Sequence, residues 1–218
     1  YITFTTKHHD GFCMFDTAQT DYKVTHPDCP FHTNPRANIA KEVFNAFRAR
    51  DMAISCYFSK PDWHSPYYWA PEWPIMTRNP SYIPAEHPDV WEKFVTFTHR
   101  QIEELMTGYG KIDVLWLDGG QVRAPKQDIR MAEIAAMARR HQPGLIMADR
   151  TAGGPYENLI TPEQKIPEKP LDAPWESCMT LGNAWKYVPD DAYKPADTVI
   201  RMLIEIVAKG GNLLLGVG

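Results

Sequence analysis

Short, mostly apolar runs alternate along this chain with longer stretches whose apolar residues recur at helical spacing, and this alternation limits the possible folds. Six short runs predict strands, at residues 1–6, 52–59, 112–117, 144–148, 175–179 and 212–217. Four longer stretches predict helices, at residues 39–50, 88–105, 129–140 and from Pro195 to the Gly210–Gly211 pair. Apolar strands joined by helices predict a parallel sheet that is covered by helices.

Two architectures satisfy this pattern, a doubly wound sheet and a (β/α)8 barrel. A dinucleotide-binding sheet would carry a glycine-rich fingerprint after an early strand, and the sequence has none. Polar and aromatic residues follow most strands, where barrel enzymes assemble their active sites, so we predict an α/β fold of the TIM-like barrel class. Because about two strands are missing and both ends lie in apolar runs, residues 1–218 are expected to form a single partial barrel domain. It would contain about strands 3–8 and lack the first strands.

Composition argues against several classes of function. The net charge is −4 and no run of Lys or Arg occurs, which disfavours nucleic acid as a partner. No apolar run approaches the roughly 20 residues that a membrane-spanning helix needs. Cys13, Cys29, Cys56 and Cys178 lack the spacing of a metal site or a disulfide framework and are expected to be free thiols. The oligomeric state is left open.

Aromatic residues are concentrated in two proline-rich segments, residues 61–68 and 69–74. Proline disfavours regular helix and central strand, so both segments are predicted to be loops. Aromatic rings on loops often stack on the apolar faces of sugars, although the same rings could equally form a minor core. In a sugar-active enzyme, loops such as residues 61–84 would determine which linkage and aglycone are accepted.

Charged residues that follow the predicted strands are the candidates for chemistry. Asp118 ends an apolar strand and precedes two glycines, where it could stabilise a turn or attack an anomeric carbon. Arg150 could pair with such a carboxylate and keep it ionised, or lie on the surface. Glu163 and Glu176 follow in proline-containing segments, and either could supply the second carboxyl that a glycosidase needs.

Adjacent histidines follow the first strand. His8 and His9 point to opposite sides of an extended chain, so a single ion is hard for both to reach, and no further ligands occur at metal-site spacing. We therefore predict no metal site. Neutral imidazoles that hydrogen-bond to sugar hydroxyls are favoured, while a structural role in the turn before Gly11 and a metal-dependent hydrolase using His8, His9 and Asp10 remain alternatives.

Four segments together resemble glycoside hydrolase family 29, the retaining α-L-fucosidases. Residues 5–12 (Thr-Thr-Lys-His-His-Asp-Gly-Phe) resemble the most diagnostic motif of that family, and residues 115–119 (Leu-Trp-Leu-Asp-Gly) resemble its nucleophile strand. Residues 148–150 and 210–215 resemble the following strand and the last barrel strand. The resemblance runs over nearly the whole chain, and the order and spacing of the segments make it specific.

The resemblance implies a role for each matching residue. Asp118 would be the nucleophile and Glu163 the acid/base, with Glu176 as the alternative. Six residues would bind the sugar: His8, His9, Tyr57, Trp116, Arg150 and Trp185. No cofactor is implied.

The implied activity is exo-hydrolysis of terminal α-L-fucosyl residues from a fucosylated glycan or glycoconjugate, by double displacement through a covalent glycosyl-enzyme. A barrel that binds fucose without turnover is the alternative from another class. The family also implies export to a secreted, periplasmic or lysosomal location, although the sequence itself shows no signal peptide.

Overall fold

The computed structural model describes residues 1–150 and 154–217. Within them lie six strands: β1 (Ile2–Lys7), β2 (Ile54–Ser59), β3 (Val114–Asp118), β4 (Ile146–Ala148), β5 (Glu176–Thr180) and β6 (Asn212–Gly216). The same residues contain four α-helices: α1 (Ile39–Arg48), α2 (Pro88–Gly108), α3 (Met131–His141) and α4 (Ala196–Ala208). Every strand and helix expected from the sequence is therefore confirmed.

The chain divides into two compact units, Tyr1–Tyr156 and Glu157–Gly218. The first contains a four-stranded sheet in the order β1-β2-β3-β4, and the second contains β5 beside β6. All neighbouring strands are parallel, which confirms the predicted α/β class. The single domain, the closed barrel and the missing first strands stay predictions.

The register of β2 against β3 separates the core of the first unit from its chemistry. Cys56 lies opposite Leu115 and Phe58 opposite Leu117, and these four buried residues join a core that includes Phe44 of α1 with Phe94 and Leu105 of α2. Since successive side chains of a strand point to opposite faces, the intervening residues face away from the helices. Those residues are Tyr57 opposite Trp116 and Ser59 opposite Asp118.

Two buried ion pairs join the carboxyl ends of β1 and β2 to segments that follow other strands of the sheet. Lys7, the last residue of β1, donates to Asp62 Oδ2 at 2.9 Å and to Gln101 Oε1 at 3.1 Å. Lys60, just after β2, donates to Asp149 Oδ1 at 2.8 Å. All these side chains are buried. Buried charges are costly unless paired, so each pair fixes the loop that carries its carboxylate.

The second unit is smaller and is built on the β5–β6 pair. Ile160 and Glu163 form isolated parallel bridges to Trp175 and Cys178, so residues 160–163 run alongside β5. All four cysteines of the chain are free thiols, as expected. None of the described helices combines the length and the apolar composition needed to cross a membrane.

Removing one partner of the Lys7–Asp62 pair should destabilise the intact protein strongly. In Lys7→Met the Asp62 carboxylate stays buried without its cation, and we expect a loss of about 3–5 kcal/mol in the free energy of unfolding, measured by urea denaturation. Lys41→Met, an exposed lysine of α1, is the control and should change stability by less than about 0.5 kcal/mol. Equal stability of the two variants would contradict a structural role for the pair.

Candidate active site

Asp118 lies at the carboxyl end of β3, in a position that is mostly but not fully closed to solvent. Its side chain keeps 17% exposure, and its Oδ1 accepts a hydrogen bond of 2.7 Å from the backbone N–H of Gly119. Gly119 has a φ of +84°, and a Cβ there would lie 2.2 Å from Cδ of Pro61. Glycine is therefore required for the chain to turn at this carboxylate.

Two side chains stabilise Asp118 as an anion. The Tyr57 hydroxyl donates to Oδ2 at 2.6 Å, and the Arg150 guanidinium lies 3.4 Å from Oδ1. Burial raises the pKa of Asp118, but the Tyr57 hydrogen bond, the charge of Arg150 and the Gly119 N–H outweigh it and hold the pKa below its usual value. Asp118 is thus a mostly buried carboxylate that is ionised at neutral pH.

His9 lies beside this carboxylate as a neutral imidazole. Its Nε2 is 3.7 Å from Asp118 Oδ2, and its Nδ1 is hydrogen-bonded to the Ser59 hydroxyl. Because that hydroxyl itself donates to the Pro61 carbonyl at 2.9 Å, we assign the proton to Nδ1, which leaves a lone pair on Nε2. Burial, only partly opposed by Asp118, lowers the pKa of His9 to about 4. His9 Nε2 can therefore accept a hydrogen bond from a sugar hydroxyl.

An aromatic stack connects the remaining predicted residues of the first unit. The Tyr57 ring is parallel to His8, with centroids 5.8 Å apart, and stacks on Trp116 at 5.3 Å. The Arg150 guanidinium lies 5.3 Å from the centroid of Trp116. The structure thus brings together all six site residues that the sequence predicted in this unit: His8, His9, Tyr57, Trp116, Asp118 and Arg150.

Glu163 and Trp185 meet in the second unit. The indole N–H of Trp185 donates to Glu163 Oε1 at 3.2 Å, and the same ring lies against Gly216, the last residue of β6. The Glu163 carboxylate is consequently at the carboxyl end of this strand pair. Glu163 is exposed and Trp185 is 44% exposed, so both are accessible to a ligand at that edge.

Glu176 occupies the opposite edge of the strand pair. It is the first residue of β5 and lies opposite Asn212, the first residue of β6. Burial raises the pKa of Glu176 to about 7, which would suit a proton donor. The position of Glu176 does not suit a proton donor, since parallel α/β enzymes build their active sites at the carboxyl ends of strands. We give more weight to position, which favours Glu163, although both assignments stay predictions.

One group of side chains in the described part of the chain has the geometry to hold a metal ion. The ligand atoms of His8, His9 and Asp118 lie within 4.8 Å of one another. Asp10, which the metal-hydrolase alternative used, is exposed and lies outside this group. Both oxygens of Asp118 are already engaged, one near the Arg150 cation. The balanced charge and the small number of ligands disfavour a metal site.

Three residues near the site were missed by the sequence analysis. Ser59 sets the His9 tautomer, and Trp63 lies edge-on to His9 with centroids 5.2 Å apart. Arg78 lies over the Trp63 ring at 5.5 Å. The aromatic, proline-rich composition was the only sequence signal for Trp63, while Ser59 and Arg78 had none.

Several known proteins are similar to this chain over its whole length. The family model for alpha-L-fucosidase matches residues 1–218. The human plasma alpha-L-fucosidase is 27% identical over the whole chain, which covers 45% of that protein. Among solved structures, alpha-L-fucosidase isoenzyme 1 from Paenibacillus thiaminolyticus is 34% identical with a TM-score of 0.84, and the chain covers 54% of it. The alpha-L-fucosidase AlfC from Lactobacillus casei is 26% identical with a TM-score of 0.76, and the chain covers 68% of it.

The similarity includes every strand of both units, since each of these matches covers all of this chain. The parallel α/β fold corresponds to part of the TIM-like catalytic domain found in the fucosidases. The chain spans about half the length of the curated relatives it matches. On the full-length match of the family model, the chain belongs to the alpha-L-fucosidase family.

Proposed function

We propose that this chain is part of the catalytic domain of a retaining exo-α-L-fucosidase that releases terminal α-L-fucosyl residues from glycans or glycoconjugates. The observation that carries the proposal is the ionised, mostly buried Asp118, whose oxygens are held by Tyr57, Gly119 and Arg150. The structure of AlfC contains the α-L-fucose product, which supports the same sugar as the ligand here.

The reaction has two steps. In the first, Asp118 attacks the anomeric carbon while the glycosidic C–O bond breaks, and Glu163 gives its proton to the departing oxygen. In the second, Glu163 takes a proton from water, the water oxygen attacks the same carbon, and the bond to Asp118 breaks. Two inversions leave the anomeric configuration unchanged and regenerate both carboxyl groups.

The other residues bind and orient the sugar. His9 Nε2 accepts a hydrogen bond from a sugar hydroxyl, and His8, which is exposed and stacked on Tyr57, offers a second imidazole. Trp116 and Trp185 are the indoles assigned to the apolar face of the sugar. Trp116 is buried, with Tyr57 stacked on its ring and the Arg150 guanidinium over it, and Trp185 is 44% exposed. Arg150 keeps Asp118 ionised while Tyr57 fixes the orientation of its carboxylate.

A fucose-binding protein without turnover would not need these features. Binding of a sugar does not require a carboxylate that is ionised and largely desolvated, whereas a nucleophilic carboxylate requires both the charge and the fixed position. The second carboxyl, with its hydrogen bond from Trp185, also favours an enzyme.

Paired amide variants test the proposal and its proton donor. The intact wild-type protein should hydrolyse 4-nitrophenyl α-L-fucoside and release the α anomer first, as followed by NMR. Glu163→Gln should lower kcat/KM for a fucosylated disaccharide by about 10²–10⁴-fold. The loss should be much smaller for a fucoside with a good leaving group, because that group needs little protonation.

Glu176→Gln is the matched control for this experiment. It makes the same carboxyl-to-amide change at the opposite strand edge, so it should produce no loss that depends on the leaving group. If instead Glu176→Gln shows the larger loss for the disaccharide than for the fucoside with a good leaving group, the acid/base role belongs to Glu176. Release of the β anomer by the wild type would overturn the retaining mechanism.

Tyr57→Phe should move the acidic limb of the pH profile of kcat/KM to higher pH. The nucleophile must be ionised, and the variant removes a hydrogen bond to the carboxylate while the burial that raises the pKa of Asp118 remains. A hydrogen bond to a charged group contributes about 1.5–3 kcal/mol, so the limb should move by about one to two pH units. Tyr109→Phe, whose hydroxyl bonds to the Asp16 backbone, should leave the limb in place. An unmoved limb in Tyr57→Phe would contradict the role of its hydroxyl.

A further inference from the structure

A pair of indoles extends outward from His9. The backbone N–H of Trp63 donates to the His9 carbonyl at 2.7 Å, and the Trp63 ring meets the His9 ring at its edge. Trp69 stacks on Trp63 at 5.3 Å with an interplanar angle of 6°. Both indoles are half-buried, so they form a partly exposed aromatic surface beside the imidazole that is adjacent to Asp118.

Arg78 is fixed over this surface by its own backbone. Its carbonyl accepts hydrogen bonds from Trp63 Nε1 at 3.2 Å and from the Tyr68 hydroxyl at 3.3 Å. The carbonyl of the next residue, Asn79, accepts from Trp69 Nε1 at 3.0 Å. Because both indole N–H groups bind this short segment, the position of Arg78 is set by the aromatic pair beneath its side chain.

The positive charge of the Arg78 guanidinium is available to pair with an anionic ligand. Its side chain is exposed, and among residues 1–150 and 154–217 no carboxylate lies within ion-pair distance of it. Arg150, by contrast, is 3.4 Å from Asp118. Burial is the main cause of the lowered pKa of His9, and the charge of Arg78 lowers it further, so Arg78 lies within electrostatic reach of the sugar site.

We propose that Arg78, supported by Trp63 and Trp69, is a specificity-determining residue that binds an acidic group on the saccharide to which the fucosyl residue is attached. A carboxylate and a sulfate ester share the required chemistry, since both accept two parallel hydrogen bonds from a guanidinium. Trp69 stacks on the apolar face of that saccharide, while Arg78, which lies over Trp63, pairs with its charge. These 218 residues have a net charge of −4, and a local cation such as Arg78 would offset their repulsion of an anionic glycan. This inference rests on the proposed function.

The test compares matched acidic and neutral substrates with the intact enzyme. In the first pair, the sugar residue next to fucose carries either a carboxylate or the methyl ester of that carboxylate. In the second pair, the same sugar residue either carries a sulfate ester or lacks it. The measured quantity is the ratio of kcat/KM for the acidic and the neutral member. We expect the wild type to prefer one or both acidic members by about tenfold at low salt, and 0.5 M salt to reduce the preference.

Substitutions assign the preference to Arg78. Arg78→Gln should bring the ratio close to one, and Arg78→Lys should retain part of it because the charge remains but the planar fork is lost. Arg50→Gln is the matched control: Arg50 is exposed and precedes the start of β2, at the opposite sheet edge from Asp118, so the ratio should not change.

The outcomes separate this inference from the proposed function. Preference for the carboxylate or for the sulfate identifies the natural acidic group. A wild-type ratio near one for both pairs, or a ratio that survives Arg78→Gln, overturns the role of Arg78 while hydrolysis of 4-nitrophenyl α-L-fucoside continues. Failure to hydrolyse any fucoside overturns the proposed function, and this inference with it.

Discussion

An anionic carboxylate held in a largely desolvated position is the constraint on which the rest of this site depends. Asp118 keeps its charge only because the Tyr57 hydroxyl, the Arg150 guanidinium and the Gly119 N–H together outweigh the cost of burial. The same burial, with little compensation, makes His9 neutral. One environment therefore provides both a charged carboxylate and an uncharged hydrogen-bond acceptor, and the difference arises from which partners each side chain has.

The sheet register supplies those partners. Tyr57 lies opposite Trp116 and Ser59 opposite Asp118, so two adjacent parallel strands deliver four site residues to one face. The buried pairs Lys7–Asp62 and Lys60–Asp149 then fix the loops beyond the strand ends. Because these polar groups are already held in position, no free energy is lost in reorienting them when a ligand binds or reacts.

Much of this arrangement was predictable from sequence, because apolar runs and helical spacing are local signals. Asp118, His9 and Arg150 could be found because each lies at the carboxyl end of a strand or within two residues of it. The proton on His9 Nδ1 could not, since it depends on Ser59, fifty residues away. The preference for Glu163 over Glu176 came from the resemblance alone, because no local pattern in the sequence shows that residues 160–163 run beside β5.

The most direct test of the central claim is to trap the covalent intermediate. The intact protein would be incubated with 2-deoxy-2-fluoro-L-fucosyl fluoride, whose fluorine slows the second step, and the proteolytic peptides would be analysed by mass spectrometry. The account predicts a single fluorofucosyl adduct on Asp118 that is absent in Asp118→Asn. An adduct on a different carboxylate, or rapid turnover of natural substrate by Asp118→Asn, would contradict it.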